Sequence, residues 1–144
     1  MLKNADFRLK IASIPQNIEL IEPFLEKVKN SYLLKDEVYF NILVVLTEAV
    51  NNSILHGNQS NPNKNVWVKC KLEKKILLFN ITDEGSGFNP KIVPDPTAIE
   101  HRTQPNGRGL FLMRQLSDKL TYYNQGRSVG IQFKVTWQKM TTFC

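Results

Sequence analysis

Residues 36–56 read DEVYFNILVVLTEAVNNSILH, a stretch that is apolar around most of the circumference of a helix. A helix of that kind has to be covered on nearly every side, so it belongs inside a layered domain. Its few polar residues then need reasons. Glu48 lies mid-helix, where an unpaired buried carboxylate is costly. Asn52 follows four residues later, about 40° further round and roughly 6 Å along, which puts a carboxylate and a neutral amide on one face. Asn51, three residues from Glu48, meets the spacing as well, and His56 carries the face one turn further. Adjacent asparagines weaken a helix by roughly several tenths of a kcal/mol each relative to alanine, with no packing benefit in view. Spacing alone admits two readings, a functional cluster or the solvated stripe of a buried helix.

On either side of this helix the hydrophobic period changes. Phe7, Leu9 and Ile11 alternate with polar neighbours as a first strand, and Ser13 with Gln16 makes a capping box for a helix through Ile18, Ile21, Phe24, Leu25 and Val28. Pro15 is tolerated in its first turn, whereas Pro23 should kink or interrupt it. Val66, Val68, Cys70 and Leu72 alternate with Trp67, Lys69 and Lys71, and after Glu73-Lys74-Lys75 comes ILLFNITD, which predicts a hairpin. Residues 84–106 hold four of the seven prolines and no sustained period. A loop of that length is usually functional, although Asp95-Pro96 suits the start of one short helix. Gly107 to Ser117 reads as a helix, and Leu120–Asn124 with Val129–Trp137 as a second hairpin turning at Asn124-Gln125-Gly126. The order β-α-α-β-β-loop-α-β-β predicts an α+β domain, hairpins forming a sheet with helices over one face. At 144 residues one domain spanning 1–144 is expected.

Composition narrows the classes. With 42% hydrophobic and 22% charged residues the chain is an ordinary soluble globular sequence, without a run of eighteen apolar residues for a membrane and with an N-terminus too polar for a signal peptide. Cys70 and Cys144 form no CxxC pair, and reduced thiols in the cytoplasm are expected. A net charge of +6 favours anionic partners. The lysines between 64 and 75 are not interleaved with the aromatic residues a single-strand stacking platform needs, which argues against nucleic acid.

Two further motifs follow the helix. Asp83 ends ILLFNITD in phase with Leu77, Phe79 and Ile81, so its carboxylate continues an apolar face and points inward. Gly85 and Gly87 come next, in DEGSGF, where open backbone can approach a flat ligand. A buried acceptor beside such backbone suits an exocyclic amine on a base; an ordinary turn with glycines at positive φ is the plainer reading. The run is no Walker A loop, because no lysine followed by serine or threonine closes it. In NGRGLFLM, Gly107 and Gly109 let N-terminal helix amides approach phosphate oxygens and Arg108 adds a fixed positive charge; the alternative is a flexible lead into the helix.

Together these elements resemble the histidine-kinase-like (GHKL) ATPase superfamily: TEAVNNSILHGN looks like its N box, DEGSGFNP like the first glycine box and GRGLFLMRQLSD like the second, and the resemblance covers roughly Tyr39 to Trp137. It is strongest to the small bacterial anti-sigma-factor serine kinases, which share the ExxxN…H helix and the PDPT at Pro94 to Thr97. The resemblance implies a two-layer α/β sandwich of the Bergerat type, with a mixed, mostly antiparallel sheet and helices on one face. By it, Asn52 would ligate Mg²⁺ and Glu48 would be the general base. Asp83 would accept a hydrogen bond from the adenine amino group, Gly85 and Gly87 would line the base, and Gly107, Arg108, Gly109 and Leu110 would hold the phosphates of ATP under a lid at about 89–106. His56 matches a favoured position without a role. In SVGIQFKVTW, Ile131 stands where relatives often place a threonine beside adenine.

The function so implied is a cytoplasmic protein-serine kinase that passes the γ-phosphoryl group of ATP to a small anti-sigma antagonist and sequesters a sigma factor, as a homodimer and away from membranes. A nucleotide-dependent binding module without phosphoryl transfer would use the same pocket.

Overall fold

The apolar stretch forms helix α2, Asp36–Asn52, which runs on without a break into a π-helical turn, Ser53–Gly57. Asp36 and Glu37 occupy its first turn, where negative charge complements the helix dipole. Tyr39, Ile42, Val45, Leu46, Ala49 and Val50 are buried. Contrary to the expectation from sequence, the continuous 22-residue helix Asp36–Gly57 is long and apolar enough to cross a bilayer by length and composition, with a mean hydropathy of 1.4 over its most apolar eighteen residues. Its buried residues instead join those of the sheet and the other helices in the hydrophobic core.

The computed structural model describes residues 4–87 and 105–135, with the backbone alone at 105–108. Besides α2 these comprise β1 (Phe7–Ala12), a 3₁₀ turn (Pro15–Leu20), α1 (Ile21–Tyr32), β2 (Asn65–Glu73), β3 (Ile76–Thr82), α3 (Pro105–Leu116), β4 (Lys119–Tyr123) and β5 (Ser128–Lys134). The strands make one sheet in the order β1-β2-β3-β5-β4, and all four described pairings are antiparallel. Val68 pairs with Leu9 and Ile81, and Phe79 with Cys70 and Ile131, so the inward positions of neighbouring strands stand side by side. Those positions are buried or half-buried against the helices, which makes the domain a two-layer α+β sandwich.

Three local expectations are corrected. Ser13 does not cap a helix: its hydroxyl accepts a hydrogen bond from Asn58 Nδ2 at 2.8 Å, and the 3₁₀ turn begins after Ile14 with no side-chain cap. The single helix expected from Ser13 through Val28 is two segments, the 3₁₀ turn and α1, which meet two residues before Pro23. Within α1 the proline lies in the first turn, where it blocks no intrahelical bond. Helix α3 starts at Pro105, two residues before Gly107, with proline at the first position, where its missing N–H costs nothing. Most of the loop at 84–106, including the 95–96 helix start, and Trp137 and Cys144 lie outside the described residues.

Burial pushes the Cys70 thiol up, well away from thiolate reactivity. Burial also drives the Tyr39 hydroxyl up to about 12, helped by its hydrogen bond to Glu26 at 3.0 Å.

Candidate functional site

Two glycine contacts fix the site, one at each end of the last turns of α2. A Cβ at Gly109 would stand 2.7 Å from Glu48 Oε2 and 3.6 Å from Asn52 Nδ2, so the first turns of α3 lie directly against that pair. The placement separates the asparagines: Asn52 shares the α3-facing side with Glu48. Glu48 and Asn52 are half-buried, and neither side chain has a hydrogen-bond partner among the described residues. A carboxylate and an amide with unused bonding capacity therefore face the end of a helix whose early N–H groups are unpaired. Because α3 begins at Pro105, which has no N–H, the free amides are those of Asn106 and Gly107, and Gly109 supplies the close approach. Leu110 is buried.

The other end is built on Asp83. As the strand phase predicts, Asp83 points inward and is 8% exposed. Its Oδ1 accepts the Gly85 N–H at 2.8 Å. Burial pushes the Asp83 carboxyl above its ordinary range, while the Gly85 N–H, the nearby Ser53 hydroxyl and the charges of Arg127 and Lys64 pull it back. Gly57, the last residue of the π-helical turn, lies so close that a Cβ there would collide with the Asp83 carboxylate, and a Cβ at Gly85 would collide with the Gly57 carbonyl. The π-helical turn thus brings Ser53 and Gly57 to Asp83, a common use of such turns at functional sites.

Glu48 and Gly57 are nine residues apart on one continuous helix, roughly 13 Å along its axis. A ligand reaching both ends is elongated, with a hydrogen-bond donor for Asp83 at one end and negative charge for the α3 amides at the other.

Sequence reasoning did not find the residues that hold this frame. Arg127 donates from Nε to the Gly85 carbonyl at 2.7 Å and from Nη2 to that of Ser86 at 3.4 Å, while its own carbonyl accepts the Asp83 N–H at 2.9 Å. Gly87, at φ +82°, lies against the Gln125 carbonyl, so neither its conformation nor its surroundings admit a side chain. Buried Asn58 donates to Ser13 and to the Asn65 carbonyl and accepts the Glu84 N–H at 2.8 Å. His56 is exposed. Ile131 is fully buried opposite Phe79, and Val129, paired with Ile81, is the inward residue of β5 nearest Asp83.

The profile of the histidine kinase-like ATPase domain family matches residues 11–133, which include both ends of this site. The chain belongs to that family. Among curated relatives of this histidine kinase-like ATPase domain, the anti-sigma F factor of Oceanobacillus iheyensis is 28% identical over 85% of the chain and 100% of the relative. That of Bacillus velezensis is 27% identical over 83% of each. Among solved structures, the histidine kinase domain of the blue-light activated kinase of Erythrobacter litoralis superposes with a TM-score of 0.51 at 15% identity, over 82% of this chain and 60% of that one, a likeness of fold.

Proposed function

We propose that this domain is an ATP-dependent protein-serine kinase of the anti-sigma-factor type, acting in the cytoplasm as a homodimer that holds a sigma factor and phosphorylates a small antagonist protein. The observation that carries the reading is the close packing of Gly109 against Glu48 and Asn52, with Asp83 at the far end of the same helix. The relatives named anti-sigma F factor support the choice of partner.

The residues fit ATP. Asp83 gives Oδ1 to the Gly85 N–H and keeps its second carboxylate oxygen for the adenine amino group, and the close backbone packing at Gly57 and Gly85 holds that carboxylate in place. The amides at the start of α3 and the guanidinium of Arg108 receive the phosphates. Asn52 offers its amide oxygen to Mg²⁺, which keeps most of its waters and needs few protein ligands. When bound, Mg²⁺ offsets charge on the phosphate oxygens.

Glu48 then takes the proton of the attacking serine hydroxyl as its oxygen bonds to the γ-phosphorus and the bond to ADP breaks. Phe40 and Val44, 60% and 40% exposed, precede Glu48 by eight and four residues on the same helical stripe and give a protein substrate apolar ground beside the base. Incubating the chain with γ-labelled Mg·ATP and the antagonist protein tests the reading. Label on a serine of the antagonist is expected; ATP binding without label would leave a nucleotide-dependent binding module instead.

A further inference from the structure

The sheet face turned away from the helices carries an excess of positive charge. Strand register places Arg8 and Lys10 of β1, Lys69 and Lys71 of β2, Lys119 of β4 and Lys134 of β5 on it, against the single carboxylate of Glu73 among its strand positions. That excess is most of the chain's net +6. Lys71 pairs with Glu73 at 3.1 Å, whereas Lys10, Lys69, Lys119 and Lys134 have no ion-pair partner among the described residues. Arg8 stands directly opposite Lys69.

The same face is hollowed. A cavity of about 490 Å³ is lined by Glu73, Lys74, Ile76, Leu78 and Gln132. Ile76 and Leu78 give it an apolar floor, and register rings that floor with cations: Lys71 pairs with Leu78, Lys134 with Ile76, and Lys119 with Gln132.

We infer that this face is a docking surface for an acidic protein segment that seats an aliphatic side chain in the hollow and sets carboxylates against the surrounding lysines. Charge complementarity selects the occupant. A second copy presenting the same face would oppose cation to cation, and single-stranded nucleic acid stacks on aromatic rings, whereas this floor is aliphatic. The surface lies on the other side of the sheet from the nucleotide site, so an acidic partner can bind while that site is in use.

The test uses the full chain and a fluorescein-labelled Asp/Glu-rich peptide carrying two leucines, followed by anisotropy at low salt and titrated with salt. Saturable binding that weakens as salt rises is expected. Combining Lys69→Glu, Lys119→Glu and Lys134→Glu should weaken it by roughly tenfold or more, and Leu78→Ala should weaken it as well. The corresponding Lys→Gln combination, which adds no new charge, should give a smaller loss in the same direction. Wild-type affinity in the Glu and Gln combinations, or no binding of the peptide, overturns the inference. So does equal or tighter binding of a single-stranded RNA or of phosphatidylserine vesicles, which would mark a surface for polyanions at large. Face-to-face self-association abolished by the lysine variants would do the same.

Discussion

Gly57 and Asp83 meet with no space between them: the last residue of the π-helical turn presses its backbone onto a carboxylate already held by the Gly85 N–H. The carboxylate cannot swing away without giving up that bond. Gly57→Ala should therefore act as overpacking and destabilise the domain by about 1–3 kcal/mol, while His56→Ala, at the exposed neighbouring position, should be near neutral. Urea denaturation of the two variants checks this, and equal midpoints would contradict the contact.

Gly109 meets a carboxylate of the opposite kind. Glu48 has no described partner, so a methyl group 2.7 Å from Oε2 moves the side chain rather than the helix. Replacing glycine by alanine inside a helix also gains up to about 1 kcal/mol. Gly109→Ala should melt no lower than the natural chain yet lose phosphoryl transfer about a hundredfold, the order expected when a reacting group is displaced by about 1 Å. Full turnover in a stably folded Gly109→Ala chain would remove Glu48 from the reaction.

The contrast between these glycines also shows how far the sequence could be read. Period and polarity placed α2, the two hairpins and the inward turn of Asp83, because each rests on local spacing that tertiary packing reinforces. Gly57 looks like any helix end and Ser53 like a helix-surface serine; Asp83 is about thirty residues away and becomes their neighbour only through the π-helical turn, while Asn58 bonds Ser13, Asn65 and the Glu84 N–H. Arg127 gives no sequence signal, since its hydrogen bonds to Gly85 and Ser86 exist only because β5 pairs with β3. The Ser13 capping box failed for a related reason: the hydroxyl found a buried amide on Asn58, and a tertiary bond displaced the local one. The one signal available was the run Ser53, Gly57, Asn58, small and polar residues closing a helix otherwise made of large apolar ones.

Glu48 and Asn52 should separate in their effects although Gly109 approaches both. A base acts on the proton in flight, whereas a metal-holding amide acts in the ground state as well. Glu48→Gln should bind Mg·ATP normally and transfer poorly. Asn52→Ala should lose the metal-dependent part of nucleotide affinity together with turnover. Calorimetric titration with and without Mg²⁺, beside a transfer assay, separates the two; matching affinity and turnover in wild type and both variants would refute the roles.

Asp83→Asn should uncouple ligand binding from folding. The amide oxygen can still accept the hydrogen bond that the Gly85 N–H gives the carboxylate, so the variant should fold. Where the carboxylate offers a second oxygen, however, the amide presents N–H groups, and an adenine amino donor would face another donor. An unmade hydrogen bond of that kind is worth roughly 1–3 kcal/mol, so the thermal shift given by saturating ADP in the natural chain should largely vanish. Without ligand, pH supplies an independent check. Burial holds the folded-state pKa of Asp83 above its unfolded value, so between those two values the folded chain binds more protons than the unfolded one. The contribution of this group to stability is thus greatest below the unfolded pKa and declines as pH rises through the folded pKa. Asparagine has no such slope. The stability of Asp83→Asn relative to the natural chain should accordingly increase from about pH 4 to about pH 7, the side of the carboxylate range toward which burial shifts the group. Urea melts across that range measure the difference, and a difference that is flat, or that shrinks with rising pH, would show that Asp83 is not paying for its burial.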